Sequence, residues 1–462
     1  MSTVFLIFFV ILLAIALLYA VRFPPLALSL GIATYGLKQI SSIVVPLFQT
    51  PSAAFNFMIT GVIGISFIYA ILRRSISGCR MKEGKIVMML VWAYLGLFWA
   101  SSLWSPFNDA ANNRQLLPYY AVYVLMLPLL MGNPPQMIRS FRLLWVLLLV
   151  GEMGLLLSPA FAKVAGQGRF VVTITTDVRV NEANPLALAD AGVFLALTSL
   201  LVLFGSSAVE KGRKGVRLAR LFCVLLGIGL GLSIAFASSR GETLAGIAAG
   251  SLLFAMIKAR KVGRVILLQI GISVLLLVVL ISVYIYFYDS ITEKFPLFSR
   301  ESIMARLDIS SDLRTEALAL VLSSPASMIV GIGARGSEKQ IGNYPHNIMI
   351  QAFVETGIIG CALLCSCYLL AIRFGLRTLS LAKRLSARKA MVFTAFALSL
   401  LLYDFLVGNK RGSLHGCEVY MWLLLSIFAF DRIQTSLLGV THSVMKRNRR
   451  NQSFQQTPAL GA

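Results

Sequence analysis

The chain has 462 residues, 58% of them hydrophobic and only 13% charged, with a mean hydropathy of +0.81. A soluble domain carries about 25% charged residues, so this composition excludes a soluble enzyme and points to a polytopic membrane protein. The net charge of +23 falls mostly in short connections between apolar runs, which is the positive-inside pattern. No basic-aromatic platform is visible, and nucleic acid is not an expected partner.

A bilayer core takes about 20 apolar residues per helix. Runs of that kind predict spans at 3–20, 25–47, 54–72, 86–103, 115–132, 143–158, 184–204, 221–238, 242–258, 265–287, 347–372, 390–408 and 415–431. The fold class is therefore an all-α polytopic membrane protein with 12–13 transmembrane helices. The first run lacks a basic flank and a small-residue cleavage site, so it reads as a span and not a removed signal peptide. Pro24, Pro25 and Lys38 disturb the second run, and a re-entrant segment there would change the count.

Arg73, Arg74, Arg80, Lys82 and Lys85 mark the first strongly basic connection, and Lys211 to Arg220, Lys258 to Arg264 and Arg373 to Lys389 mark later ones. These are expected in the cytoplasm. The organisation is one membrane domain, 1–443, followed by a basic, polar tail, 444–462, expected to be disordered and cytoplasmic. Two long loops, about 159–183 and 288–346, are expected outside. In the second, Ser311 or Asp312 can cap a short helix with an apolar stripe of Leu313, Ala317, Leu320 and Val321, closed by Pro325. That helix is expected to lie at the membrane surface.

Ionisable residues inside spans are costly and mark functional candidates. Asp190, Arg240, Glu242, Glu355, Asp404 and Glu418 all fall in the outer half of the expected topology, while Glu152 and Lys38 lie deeper. Structural ion pairs are the plain alternative for each. Together they locate a polar cavity opening outward. The external loops add Arg169, Arg179, Arg314 and Arg335, whose forked guanidinium groups suit phosphate oxygens. The six cysteines form no CxxC pair or His/Cys cluster, so neither a disulfide framework nor a metal site is expected.

There are three histidines. His442 lies in the tail. His415 reads as a cavity-wall residue, with a catalytic part as the alternative. His346 follows Pro345 and precedes Asn347, a candidate helix cap, and an imidazole there suits a general base.

The pattern Pro345-His346-Asn347, Gln351, Glu355, Gly357 and Gly360 resembles the C-terminal signature of the O-antigen ligase and Wzy-type polymerase superfamily. The segments 98–105, 238–242 and 305–333, and the run from Arg169 to Asn184-Pro185, are similar to further parts of that family in the same order. The resemblance implies a GT-C-like glycosyltransferase of the bacterial inner membrane, with its site facing the periplasm. It would move a glycan from undecaprenyl pyrophosphate to a sugar hydroxyl with no cofactor or required metal. By the same resemblance His346 would activate the acceptor hydroxyl, and Arg240 and Arg314 would hold the pyrophosphate. Arg169, Arg179 and Arg335 would contact donor or acceptor. Gln351 and Glu355 would orient His346 or bind sugar hydroxyls.

Three readings follow. A polymerase would use a lipid-linked repeat unit as acceptor, with a chain-length regulator as a candidate partner, and make O-antigen or exopolysaccharide. A ligase would use lipid A–core. A flippase or exporter of a lipid-linked sugar would also want an arginine-lined cavity, but it usually shows paired repeats, and none is apparent.

Overall fold

The structure is a computed structural model. It describes residues 2–44, 53–76, 78–106, 117–157, 173–176, 179–182, 185–205, 214–259, 300–411 and 414–455, with isolated positions between 264 and 286. Among these the fold is all-α apart from one short antiparallel hairpin. Its strands are β1 (Thr173–Thr176) and β2 (Arg179–Glu182), with Thr176 opposite Arg179. The expected span at 265–287 falls almost wholly outside the described residues.

The helices are α1 (Ser2–Arg22), α2 (Pro24–Ile32), α3 (Thr34–Val44), α4 (Ala53–Leu72), α5 (Lys82–Ala100), α6 (Pro134–Leu156) and α7 (Pro185–Gly205). They continue with α8 (Lys214–Ser238), α9 (Arg240–Lys258), α10 (Arg300–Leu322), α11 (Pro325–Val330), α12 (Gly336–Ile341), α13 (Ile348–Arg384), α14 (Arg388–Arg411) and α15 (Glu418–Gln455). Among the described residues eight helices, α4, α5, α7, α8, α9, α13, α14 and α15, are long and apolar enough to cross a membrane. The chain is an all-α polytopic membrane protein. In α7, α14 and α15, 78% of the apolar window is buried, against 28% in α4. The first three therefore form the centre of the bundle, and α4 shows most of its surface to its surroundings.

Some segments depart from the expected form. The run 25–47 is divided at Ala33 into α2 and α3. The Thr34 hydroxyl donates to the carbonyls of Leu30 and Gly31 at 3.1 and 2.7 Å, a local bond that competes with the helical ladder. Within 115–132, residues Tyr120–Met126 form a π-helical stretch. The loop helix is longer than expected: α10 starts at Arg300, so Ser311 and Asp312 lie inside it and cap nothing. Part of its stripe is covered by the protein itself. Ala317 and Val321 are fully buried and pack with Val354, Ile332, Ile341, Ile350 and Phe353. Pro325 opens α11, capped by Ser324, whose hydroxyl accepts from the Ser327 N–H at 3.3 Å. The last helix runs on to Gln455, through much of the segment expected to be a disordered tail. Residues 456–462 lie outside the described residues.

The two ends of the bundle differ. At one, basic residues and polar contacts tie the connections. Asp431 Oδ1 accepts from the backbone N–H groups of Arg80 and Met81 at 2.9 and 2.7 Å, and Arg377 pairs with Glu83. There too Lys383 Nζ donates to the Ala259 carbonyl at 2.6 Å. At the other end the loop between α11 and α13, the start of α9 and the turn before α15 come together.

Candidate functional site

The site is built on a break in a helix. Within α13, Gly357 has φ +67° and ψ −169°, which are not helical values. The break frees carbonyls that the helix would otherwise use, and the preceding loop takes them. Ile332 N–H donates to Val354 O at 2.9 Å and Gly333 N–H donates to Glu355 O at 3.0 Å. The approach leaves no room for side chains. A Cβ on Gly357 would lie 2.1 Å from Ile329 O, and one on Gly331, at φ +76°, would lie 2.3 Å from the Glu355 carbonyl carbon. The glycines on either side of the histidine motif are thus one packing contact seen from two directions.

The clamp fixes Glu355, which is fully buried. Its Oε1 accepts from Ser337 Oγ at 3.0 Å and Gln351 Nε2 at 3.0 Å, and lies 3.5 Å from His415 Nε2. Its Oε2 has no hydrogen-bond partner among the described residues. Gln351, also fully buried, accepts the Leu414 N–H on Oε1 at 2.9 Å and approaches His415 Nε2 with its own Nε2 at 3.2 Å. The His415 ring rests against Phe98 at 5.3 Å between centroids. Gln351 and Glu355 therefore turn to His415. They neither orient His346 nor offer an exposed surface to a sugar. His415 stands 64 residues from Gln351, and the i, i+4 spacing of two buried polar residues was the one sequence signal that a partner was needed.

His346 lies on the open side of the same loop. Its φ is +51°, a left-handed value rare for a residue with a side chain. Asn347 then caps α13, accepting from Met349 and Ile350 N–H at 3.0 Å each, as the sequence suggested. The half-buried imidazole packs on Tyr344 at 4.2 Å between ring centroids. Among the described residues its side chain has no hydrogen bond. Burial, and then the charge of Arg314, hold its pKa below the ordinary histidine value. Arg314 projects from α10, half-buried, and its Nε finds no partner among the described residues.

The other expected arginines part company. Arg335, at φ +59°, gives its fork to Glu338, with Nε–Oε2 at 2.7 Å and Nη2–Oε1 at 3.0 Å. Those bonds hold the Glu338 carboxyl below its ordinary range, with burial opposing them. Arg240 is the first residue of α9, beside an ion pair of buried Glu242 with Lys410 from α14. Arg179 opens β2, opposite Thr176; its side chain is outside the described residues, as is all of Arg169.

Three of the expected carboxyl residues line one cavity. A cavity of ≈ 630 Å³ is lined by Asp190, Asp404 and Glu418 with Tyr35, Tyr403 and Trp422. Tyr403 donates to Asp190 Oδ1 at 2.6 Å, and Tyr368 donates to Asp404 Oδ2 at 2.9 Å. Among the described residues no arginine lines it. No group of three or more His, Cys, Asp or Glu side chains among the described residues is placed to hold a metal ion.

Residues 221–365 match a family model described as O-antigen ligase. The match takes in Arg240, Arg314, Arg335, His346, Gln351 and Glu355, and stops short of His415. No curated protein matches the chain.

Proposed function

We propose that this chain, whose residues 221–365 match a family model described as O-antigen ligase, transfers a glycan from undecaprenyl pyrophosphate to a sugar hydroxyl. The observation that carries this reading is the pairing of His346 with Arg314. A base with a lowered pKa feels the charge of Arg314 on α10, whose Nε is unmatched among the described residues. The reaction takes place on the outer face of the bacterial inner membrane, with the basic connections at the other end of the bundle in the cytoplasm.

The chemistry needs a proton acceptor and a home for leaving-group charge. His346, neutral at physiological pH, takes the proton of the acceptor hydroxyl as its oxygen bonds to the anomeric carbon of the donor glycan. The bond from that carbon to the pyrophosphate oxygen breaks, and the electron pair leaves with the pyrophosphate. Arg314 stabilises the departing anion, and Arg240 serves it from the α9 side. Imidazolium then returns its proton to water. Arg169 and Arg179, on the loop before α7, meet the glycan of donor or acceptor. Residues on this chain suffice for each step, with no cofactor or metal.

The acceptor is another lipid-linked repeat unit, and the product is a surface polysaccharide. The ligase reading, with lipid A–core as acceptor, is favoured by the description of the matching family model. Purified protein incubated with a lipid-pyrophosphate oligosaccharide tests transfer directly: longer glycans on the lipid support polymerisation. Loading of added lipid A–core supports ligation, and no transfer to either acceptor overturns both. A deletion strain separates the two in cells, since loss of free polymer means polymerase and retained polymer with bare lipid A–core means ligase.

A further inference from the structure

We propose that His415 is a positioning residue of this site, held as a neutral imidazole with its proton on Nδ1, and that it acts through Gln351 and Glu355 on the loop carrying Arg335. Leu414 N–H donates to Gln351 Oε1 at 2.9 Å, and a backbone N–H can only donate. That bond settles which end of the amide is oxygen. Gln351 Nε2 is then the –NH2 group. Its two protons are directed at Glu355 Oε1, 3.0 Å away, and at His415 Nε2, 3.2 Å away. His415 Nε2 lies closer to this donor than to the Glu355 Oε1 acceptor at 3.5 Å; it presents its lone pair to the nearer group, so Nε2 is bare and the ring proton sits on Nδ1.

The chain of bonds continues past Glu355. Its Oε1 also takes the Ser337 hydroxyl at 3.0 Å, and Ser337 lies in the first turn of α12, just after Arg335 at the helix cap. His415, Gln351, Glu355 and Ser337 therefore link three elements: the turn before α15, the start of α13 and the loop helix α12. The far end is anchored as well. Tyr120, in the π-helical stretch, donates to the carbonyl of His415 at 3.3 Å. Phe98 covers one side of the ring. A proton on Nε2 would set a donor against the Gln351 amide. Turning the amide to suit would sacrifice the Leu414 bond, and the link to the loop would go with it.

The tautomer is measurable without any assay of transfer. In full-length protein labelled with 15N-histidine and held in nanodiscs, the resonances lost in His415→Gln belong to His415. The expected pattern at pH 7.5 is a protonated Nδ1 and a bare Nε2, and Gln351→Leu should abolish that preference. A protonated Nε2, or an imidazolium, overturns the proposal. The activity arm rests on the transfer reading. Loss of one buried hydrogen bond is worth about tenfold, so His415→Phe should lower kcat about tenfold with little change in KM for the lipid-linked donor. His415→Gln, which restores an acceptor, should recover most of that loss. Full turnover in His415→Phe, or no difference between the two variants, removes the positioning role. If the wild-type protein shows no transfer, the transfer reading fails while the tautomer result still decides the arrangement of His415. Should His415→Phe fail to fold, the wild-type spectrum stands, with resonances assigned through His346→Gln and His442→Gln.

Discussion

Two histidines flank the start of α13, His346 in sequence and His415 in packing, and their surroundings are opposites. His415 is enclosed by Gln351, Glu355 and Phe98, with bonds running back to Leu414 and Tyr120. His346 has a strained backbone, one aromatic neighbour and an arginine charge, and among the described residues no hydrogen bond. A ring held on several sides cannot exchange protons with a substrate that has to come and go. A ring held by its backbone alone can. The inner histidine suits support, and the outer one suits chemistry.

The comparison can be broken first at the outer ring. His346→Ala should lower transfer by about a thousandfold, in the range typical of general-base removal, measured as glycan product per enzyme. A loss no larger than that of His415→Phe would erase the distinction between the two rings.

Arg314→Gln should cost about 10- to 100-fold, as expected for one donor to a departing anion. It should also move the pH profile. Both burial and Arg314 disfavour the charged imidazole, so in the wild type the neutral base persists below the ordinary histidine range near pH 6.5. Removing the guanidinium raises the His346 pKa, and the acid limb of kcat/KM moves to higher pH. It does not return fully, because burial is the larger cause. An acid limb that stays in place would mean that His346 is not the titrating base.

Gly357→Ala tests the clamp that separates the two rings. The positive φ and the absent space for a Cβ should cost about 1–3 kcal/mol, visible as a lower melting temperature in detergent. A variant as stable as the wild type would show that the helix break is not constrained as described.

The smallest effect tests which side of the membrane both rings face. Gln340 is exposed on α12, and Gln340→Cys should change transfer less than about twofold, as surface substitutions usually do. In intact cells it should react with a membrane-impermeant maleimide above the wild-type background. Labelling only after lysis would reverse the orientation.

The local structure around His346 was legible in the sequence because its parts are near one another in the chain. Asn347 caps the helix that His346 precedes, and a cap is recognised within four residues. Gly357 stood out as part of the motif, but its close approach to the Gly331 loop did not, since it joins a loop to a helix break. The stripe of α10 was visible, but its partner was not: Ala317 and Val321 meet Val354 where a membrane surface was expected. An apolar stripe reveals that something covers it, and not what. Loop arginines and span carboxylates sit near the same end in sequence terms, and only packing sorts Asp190, Asp404 and Glu418 into one cavity with no arginine among its described lining residues.

By itself the sequence determined the class of this protein, an all-α membrane bundle, because about 20 apolar residues in succession have few other stable homes. It also determined the Asn347 cap beside His346, which depends on neighbours along the chain. The tertiary structure decided what Gln351 and Glu355 are for. Two buried polar side chains need partners wherever the fold provides them, and here the partner is His415, delivered by the turn before α15 from 64 residues away.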